Sequence, residues 1–411
     1  MNNLNSKKNS IGSFFGKIFA MDSVKSIIAS LVCILGGFLV GAVILILLAA
    51  FTNDIPMYEA FSGLTILLSG PFASGNLKDI LFNFGDMLLE SAPLMMTGLS
   101  VAIAFKTGLF NIGAPGQYLI GSMTALLIAL SVPKPDNAAL AFVYWLIAFL
   151  AAIVAGMLWG AIPGLFKAIF NVNEVIVCIM TNWIAANVVS WVFSASGDKY
   201  INFAETKVNF IRPTYTNGVT TPKLGLDKLF PGSNIDISIF IVIIIAIGMY
   251  ILINKTTFGY ELKACGFNKN AAKYAGMNEK RNIILSMAIA GGLAAGGAAL
   301  WYLNGKNDFL WNTYSMLPSE GFNGIPTALL ASNNPIGVIF SSIFLRYIDK
   351  GGFNLAGYTA FNEYVSDLII AMIIYFAGFS KLIRDLLSRK KAEEKRLKAP
   401  IEAAAEKGEN K

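Results

Sequence analysis

The chain has 411 residues, of which 55% are hydrophobic and only 14% charged, with a mean hydropathy of +0.61. Soluble domains carry about a quarter charged residues, so composition rules out a soluble enzyme and places most of this chain against lipid. Histidine is absent, Cys33, Cys178 and Cys265 lie far apart, and the net charge of +7 sits mainly in tails and loops. The lack of histidine excludes Ser-His triads and imidazole metal sites, while neither a disulfide framework nor nucleic acid as a partner is signalled.

A membrane span needs about 20 predominantly apolar residues. In chain order, residues 1–26 form a polar extension, and no cleavable signal peptide is expected because the first apolar stretch is too long for one. Clear spans follow at 27–51, 88–105, 112–131, 139–162, 175–195, 236–253, 283–303 and 364–382. Two weaker segments, 316–331 and 335–348, are interrupted by Pro318, Gly321, Gly324, Pro326 and Pro335. A short apolar piece at 62–73 ends in Gly70-Pro71 and cannot cross. The expected fold is an all-α polytopic membrane protein of about ten transmembrane helices over 27–382, with broken or re-entrant segments. Residues 383–411 form a charged tail. Lys7, Lys8, Lys17 and Lys25 at one end, and the ten basic residues from Lys381 onward at the other, put both termini in the cytoplasm. The loop 196–235 then lies outside. The loop 254–282, with Lys255, Lys263, Lys269, Lys273, Lys280 and Arg281, lies inside.

Small residues recur at spacing four in Gly37/Gly41, Gly156/Gly160/Gly164 and Gly292/Gly296, which favours close helix approach. Ionisable groups at membrane depth are costly and more informative; Glu90, Glu174, Glu320 and Asp367 are the candidates. Glu174, Cys178 and Asn182 share one helical face, with Trp183 next in line. This stripe either lines a cavity for a planar polar solute or begins with a first-turn acid at the membrane boundary. The stretch 110–117 breaks a helix at Gly113, Pro115 and Gly116, while Asn111 and Gln117 add donors and acceptors. It is either a site for a polar group at a helix start or a plain turn. The stretch 318–326 gathers Glu320, Phe322 and Asn323 between two prolines, the kind of break that marks substrate sites in transporters.

Four blocks carry a resemblance. FNIGAPGQYLIGSMTA at 110–125 resembles the FNIGAEGQ-type signature of nucleoside-type ABC importer permeases, with Pro115 in place of Glu. NEVIVCIMTNWIA at 173–185 and GFNGIPTALLASNNPIGVIFSS at 321–342 are similar to two further blocks of that family. FGYELKACGFNKNAAKYAGM at 258–277 looks like the cytoplasmic coupling segment of the wider ribose, nucleoside and branched-chain amino-acid permease superfamily. The matches cover most of 88–382 in order, and the first 87 residues resemble nothing of use.

The resemblance implies a type II permease-like fold in a bacterial plasma membrane, serving as the membrane subunit of an ATP-driven importer of nucleosides. It implies no catalytic residue, metal or cofactor, since ATP is used by a separate ATPase; no GxxxxGK[ST] loop occurs in the chain. Its partners would be that ATPase, a second and non-identical permease, an extracellular substrate-binding lipoprotein and the bilayer. Substrate-pathway residues would be Asn111, Gln117, Glu174, Asn182, Trp183, Glu320, Phe322 and Asn323. Coupling to the ATPase would fall to Glu261, Ala264, Gly266, Asn268, Ala271, Ala272 and Gly276, with Glu261 facing a basic group on the partner. A ribose-type sugar permease is the nearest alternative, and an ion-coupled transporter using Glu174, Glu320 or Asp367 is a more distant one.

Overall fold

In a bilayer the backbone has no partners outside its own segment, so long apolar runs become helices. The computed structural model describes residues 22–386 apart from 53–54, 197–198, 201–209, 212–217, 306, 311–316, 363, 380–381 and 384. Nearly all of the N-terminal extension, much of the 196–235 loop and the tail beyond 386 therefore lie outside the described residues. The helices are α1 (Asp22–Phe51), α2 (Met57–Ser69), α3 (Leu77–Lys106), α4 (Ala114–Ser131), α5 (Ala138–Phe170), α6 (Glu174–Ser196) and the short α7 (Leu226–Leu229). They continue with α8 (Ser238–Lys255), α9 (Thr257–Phe267), α10 (Lys269–Tyr274), α11 (Glu279–Tyr302), α12 (Ser319–Leu330), α13 (Pro335–Tyr358) and α14 (Tyr364–Ala377). A two-residue antiparallel ladder pairs Phe210–Ile211 with Phe309–Leu310.

Among the described residues seven helices are long and apolar enough to cross a membrane, namely α1, α3, α4, α5, α6, α8 and α11. The pair α12 and α13, bent by 118°, supplies an eighth span when taken together. The expected count of about ten treated the two arms separately and added 364–382, where α14 covers 14 described residues. Helix α3 starts eleven residues before the expected 88, because its charged first turns dilute the apolar signal. Asn76 caps it by accepting from Lys78 N at 3.1 Å.

The chain divides into two units, Met1–Ala60 with Asp367–Lys411, and Phe61–Ser366. In the first, Gly37 and Gly41 lie against Ile373 and Ile369 of α14. In the second, α3 and α11 run through the centre, and α5 crosses α11 at backbone distance. A Cβ on Gly160 would stand 2.5 Å from the Met287 carbonyl, and Gly156 meets Gly291 and Ala295. The expected spacing-four pair on α11 thus sits one residue off the crossing. Gly292 and Gly296 accommodate the Met157 and Met96 side chains, while Gly291 makes the backbone approach. Outer faces of α5 and α8 leave Leu158 and Ile244 exposed, as a lipid-facing surface requires.

The two ends of α3 are tied to different loops. Near its start, Asp86 accepts from Ser233 Oγ at 3.1 Å, and Thr221 joins the same loop to α5 and α11 by accepting from Trp145 Nε1 at 3.0 Å and donating its amide to Leu303 O at 2.8 Å. At the other end Thr107 Oγ1 meets Ser286 Oγ at 2.6 Å, beside α9. Asp86 and Thr107 are separated by about 30 Å of helix at ~1.5 Å per residue, the thickness of a bilayer core. The 218–237 segment and the 254–282 segment therefore lie at opposite membrane faces. In the former, burial pushes the Asp236 carboxyl from 3.8 up to about 6, opposed by hydrogen bonding from Ser238 and the charge of Lys223.

Candidate functional site

The break at 110–117 is built by three buried amides. Asn111 Oδ1 accepts from Gly113 N at 3.2 Å and from Gln117 Nε2 at 3.1 Å. Its Nδ2 donates to Ser100 Oγ at 3.0 Å and to Gln117 Oε1 at 2.8 Å. The first amides of a helix have no partner within it, and Asn182 of α6 supplies one: its Oδ1 accepts from Gly116 N at 2.9 Å. Asn182 Nδ2 then donates to Ile112 O, also at 2.9 Å. Pro115 fits the first turn of α4, where its missing N–H is not needed. Asn111, Gln117 and Asn182 are all buried.

Helix α12 completes the arrangement. A Cβ on Gly321 would lie 2.5 Å from Pro115 Cα, and one on Gly324 would lie 2.6 Å from Thr97 O. The glycines thus let α12 rest its backbone on the start of α4 and on the middle of α3. Phe322 and Asn323 occupy the opposite, exposed face, and Glu320 is half-buried in the first turn. Three stretches far apart in sequence, 110–117, 173–185 and 318–326, therefore converge on one helix start within the membrane.

The remaining expected site residues fall elsewhere. Glu174 is the first residue of α6 and pairs with Lys167 at 2.9 Å, which is the boundary reading of that acid. Cys178 and Asn182 do share its face, but Trp183 does not. It is 45% exposed beside Ile179, Met180 and Ile184, because one residue along a helix turns the side chain by about 100°. Asn111, expected to hydrogen-bond solute, has all four of its side-chain hydrogen-bonding positions committed to protein. Asp367 is exposed.

Glu90 finds its partner far along the chain, on α13. Lys350 Nζ reaches Glu90 Oε1 at 2.9 Å, and on the adjoining turn Arg346 pairs with Asp349 at 2.8 Å. The signal was the run Arg346-Tyr-Ile-Asp349-Lys350, which straddles the expected end of the 335–348 span.

At the other membrane face, 254–282 forms a helix–turn–helix element whose ends are all capped. Thr256 Oγ1 accepts from Gly259 N at 3.0 Å, Asn268 Oδ1 from Ala271 N at 3.0 Å, and Asn278 Oδ1 from Arg281 N at 3.1 Å. Gly276, at φ 81°, ends α10 in a left-handed turn that glycine adopts without strain. Of the expected coupling residues, Asn268 and Gly276 are thus end-caps and Ala272 is buried, while Ala271 and Gly266 are exposed and Ala264 is half-buried. Glu261 is half-buried, and its Oε2 accepts from Asn282 Nδ2 of its own chain at 3.0 Å. Three aromatics not singled out by the sequence, Tyr260, Phe267 and Tyr274, stand exposed, the last two at 90% and 94%. A cleft of about 780 Å³ opens beside Tyr260, lined also by Lys255, Glu261, Met277 and Arg281 among others.

Residues 83–378 match the family described as branched-chain amino acid transport system / permease component. The guanosine ABC transporter permease protein NupP of Bacillus subtilis is 32% identical over 89% of this chain and 97% of its own length. The nucleoside ABC transporter permease protein NupB of Lactococcus lactis is 32% identical over 94% of this chain and 99% of its own. A second Bacillus subtilis guanosine permease protein, NupQ, is 26% identical over 63% of this chain and 78% of its own. No solved structure gives a significant match. A multi-pass helical bundle with this family match over most of its length is a member of the branched-chain amino acid transport system / permease component family.

Proposed function

We propose that this chain is the permease subunit of an ABC importer that carries nucleosides inward across a bacterial plasma membrane, by alternating access. Similarity to guanosine and nucleoside permeases along almost their whole length carries this reading. The chain's likeness to both NupP and NupQ, two permease proteins of one organism, supports pairing with a second, non-identical permease. An extracellular lipoprotein delivers solute at the face bearing 218–237. The ATPase docks on 254–282 in the cytoplasm, where both termini also lie, and it alone binds and hydrolyses ATP; the permease needs no cofactor of its own.

Within the bundle, the exposed face of α12 carries the solute contacts. Phe322 offers a ring to stack on a base, and Asn323 and Glu320 offer polar groups to base or ribose edges. Asn111, Gln117 and Asn182 hold the broken backbone on which that face rests. Trp183 faces outward on α6, where the second permease would cover it. At the docking element, Phe267 and Tyr274 are the aromatic anchors, a residue type that dominates interface energetics. The reading is tested by ATP hydrolysis of the purified complex with its binding protein against a panel of solutes. Purine and pyrimidine nucleosides should stimulate it and free ribose should not. Stimulation by ribose but by no nucleoside would replace this reading with the sugar one.

A further inference from the structure

We propose that the power stroke enters the bundle through the α3–α4 junction, with Gly108 and Gly266 as its positioning residues; this rests on the docking of the ATPase at 254–282. A stroke delivered only along the flanking helices would use α8 and α11, to which α9 is attached through Gly259 and through the Glu261–Asn282 hydrogen bond. A third attachment exists. The end of α9 lies backbone-to-backbone on the end of α3: a Cβ on Gly266 would stand 2.5 Å from Lys106 O and 3.0 Å from Gly108 N. No flexible side chain separates the two segments, so displacement of α9 must either move residues 106–108 or open this contact.

The junction has little slack to absorb such motion. Gly108, at φ 70°, closes α3 in a left-handed turn in which Gly108 N donates to Phe105 O at 3.1 Å and Leu109 N to Ala104 O at 3.0 Å. Thr107 is held to Ser286 by their hydroxyls. Three residues further on, within about 10 Å of chain at most, Asn111 begins the amide network that Asn182 ties to α6 and Pro115 to α12. Motion at Gly266 is thereby delivered to the helix start that supports Phe322 and Asn323.

Hydrogen exchange of the assembled wild-type complex in nanodiscs, nucleotide-free against ATP-bound with a hydrolysis-deficient ATPase, tests the route. Exchange in 106–117 should change between the two states together with that in 254–282. A change confined to 254–282, Ser238–Lys255 and Glu279–Tyr302 would overturn this inference alone; no change in 254–282 would overturn the docking assignment with it. In complexes that assemble, Gly266→Val should lower the ratio of solute-stimulated to basal hydrolysis at least tenfold. An unaltered ratio in the assembled variant would refute the role of Gly266, and the exchange measurement stands whether or not the variant folds.

Discussion

Asn182→Ala separates two roles for a buried amide in a transporter, holding backbone or touching solute. The substitution removes the acceptor for Gly116 N–H and the donor to Ile112 C=O, both bonds being 2.9 Å long and shielded from water. Interhelical hydrogen bonds in membranes average about 0.6 kcal/mol by double-mutant cycles, so two of them set a floor near 1 kcal/mol. Orphaned buried backbone groups cost about 2 kcal/mol each, which sets a ceiling near 4 kcal/mol. Burial of Asn182 and the close cover of Pro115 by Gly321 leave neither group a route to another partner, which favours the upper half of that range. Reversible unfolding in mixed micelles measures the loss. An alanine variant as stable as wild type to within about 0.5 kcal/mol, but with a raised KM for solute, would show that Asn182 serves the solute rather than the backbone.

Phe322→Ala and Asn323→Ala lie on an exposed face, so each should change stability by less than about 0.5 kcal/mol while raising KM for nucleoside about tenfold, a loss of ~1.4 kcal/mol; uptake kinetics check this. Phe267→Glu with Tyr274→Glu should weaken ATPase association at least about 30-fold, from the ~2 kcal/mol carried by an aromatic anchor, as read by co-purification in detergent. Glu90→Gln leaves Lys350 without its countercharge and should cost about 3 kcal/mol, the low end for a buried pair because both side chains retain some exposure. Adding Lys350→Met should recover most of that in the same unfolding assay. Asp236 titrates higher folded than unfolded, so its contribution is complete below pH 4 and lost as pH rises through about 6. Exchange in 218–237 should quicken over that interval beyond its intrinsic pH dependence, by an amount on the order of 3 kcal/mol for two pH units, and Asp236→Asn should abolish the excess.

The spans were legible because hydropathy reports solvent directly, and the broken segments because Gly and Pro mark backbone that cannot continue a helix. Convergence of 110–117, 173–185 and 318–326 was not legible, since it depends on contacts such as Gly321 on Pro115 that join residues two hundred positions apart. Polarity alone does not reveal that Asn111 bonds within the protein, because a buried amide that satisfies the protein and one that meets solute are identical in sequence. Trp183 was placed with Asn182 by adjacency, whereas helical geometry turns it to the outside. The aromatics Phe267 and Tyr274 were overlooked because in so apolar a chain an aromatic carries no signal until its exposure is known. The charged outer turns of α3 look like loop in a hydropathy profile, which hides its first eleven residues.

Reconstitution by subunit omission addresses the central claim most directly. Proteoliposomes holding this chain, its second permease and the ATPase, supplied with binding protein, should accumulate labelled nucleoside only when ATP is present. Leaving out the ATPase should reduce uptake to the passive leak, whatever ion gradient is imposed. Uphill accumulation by this chain alone, driven by such a gradient, would contradict the account.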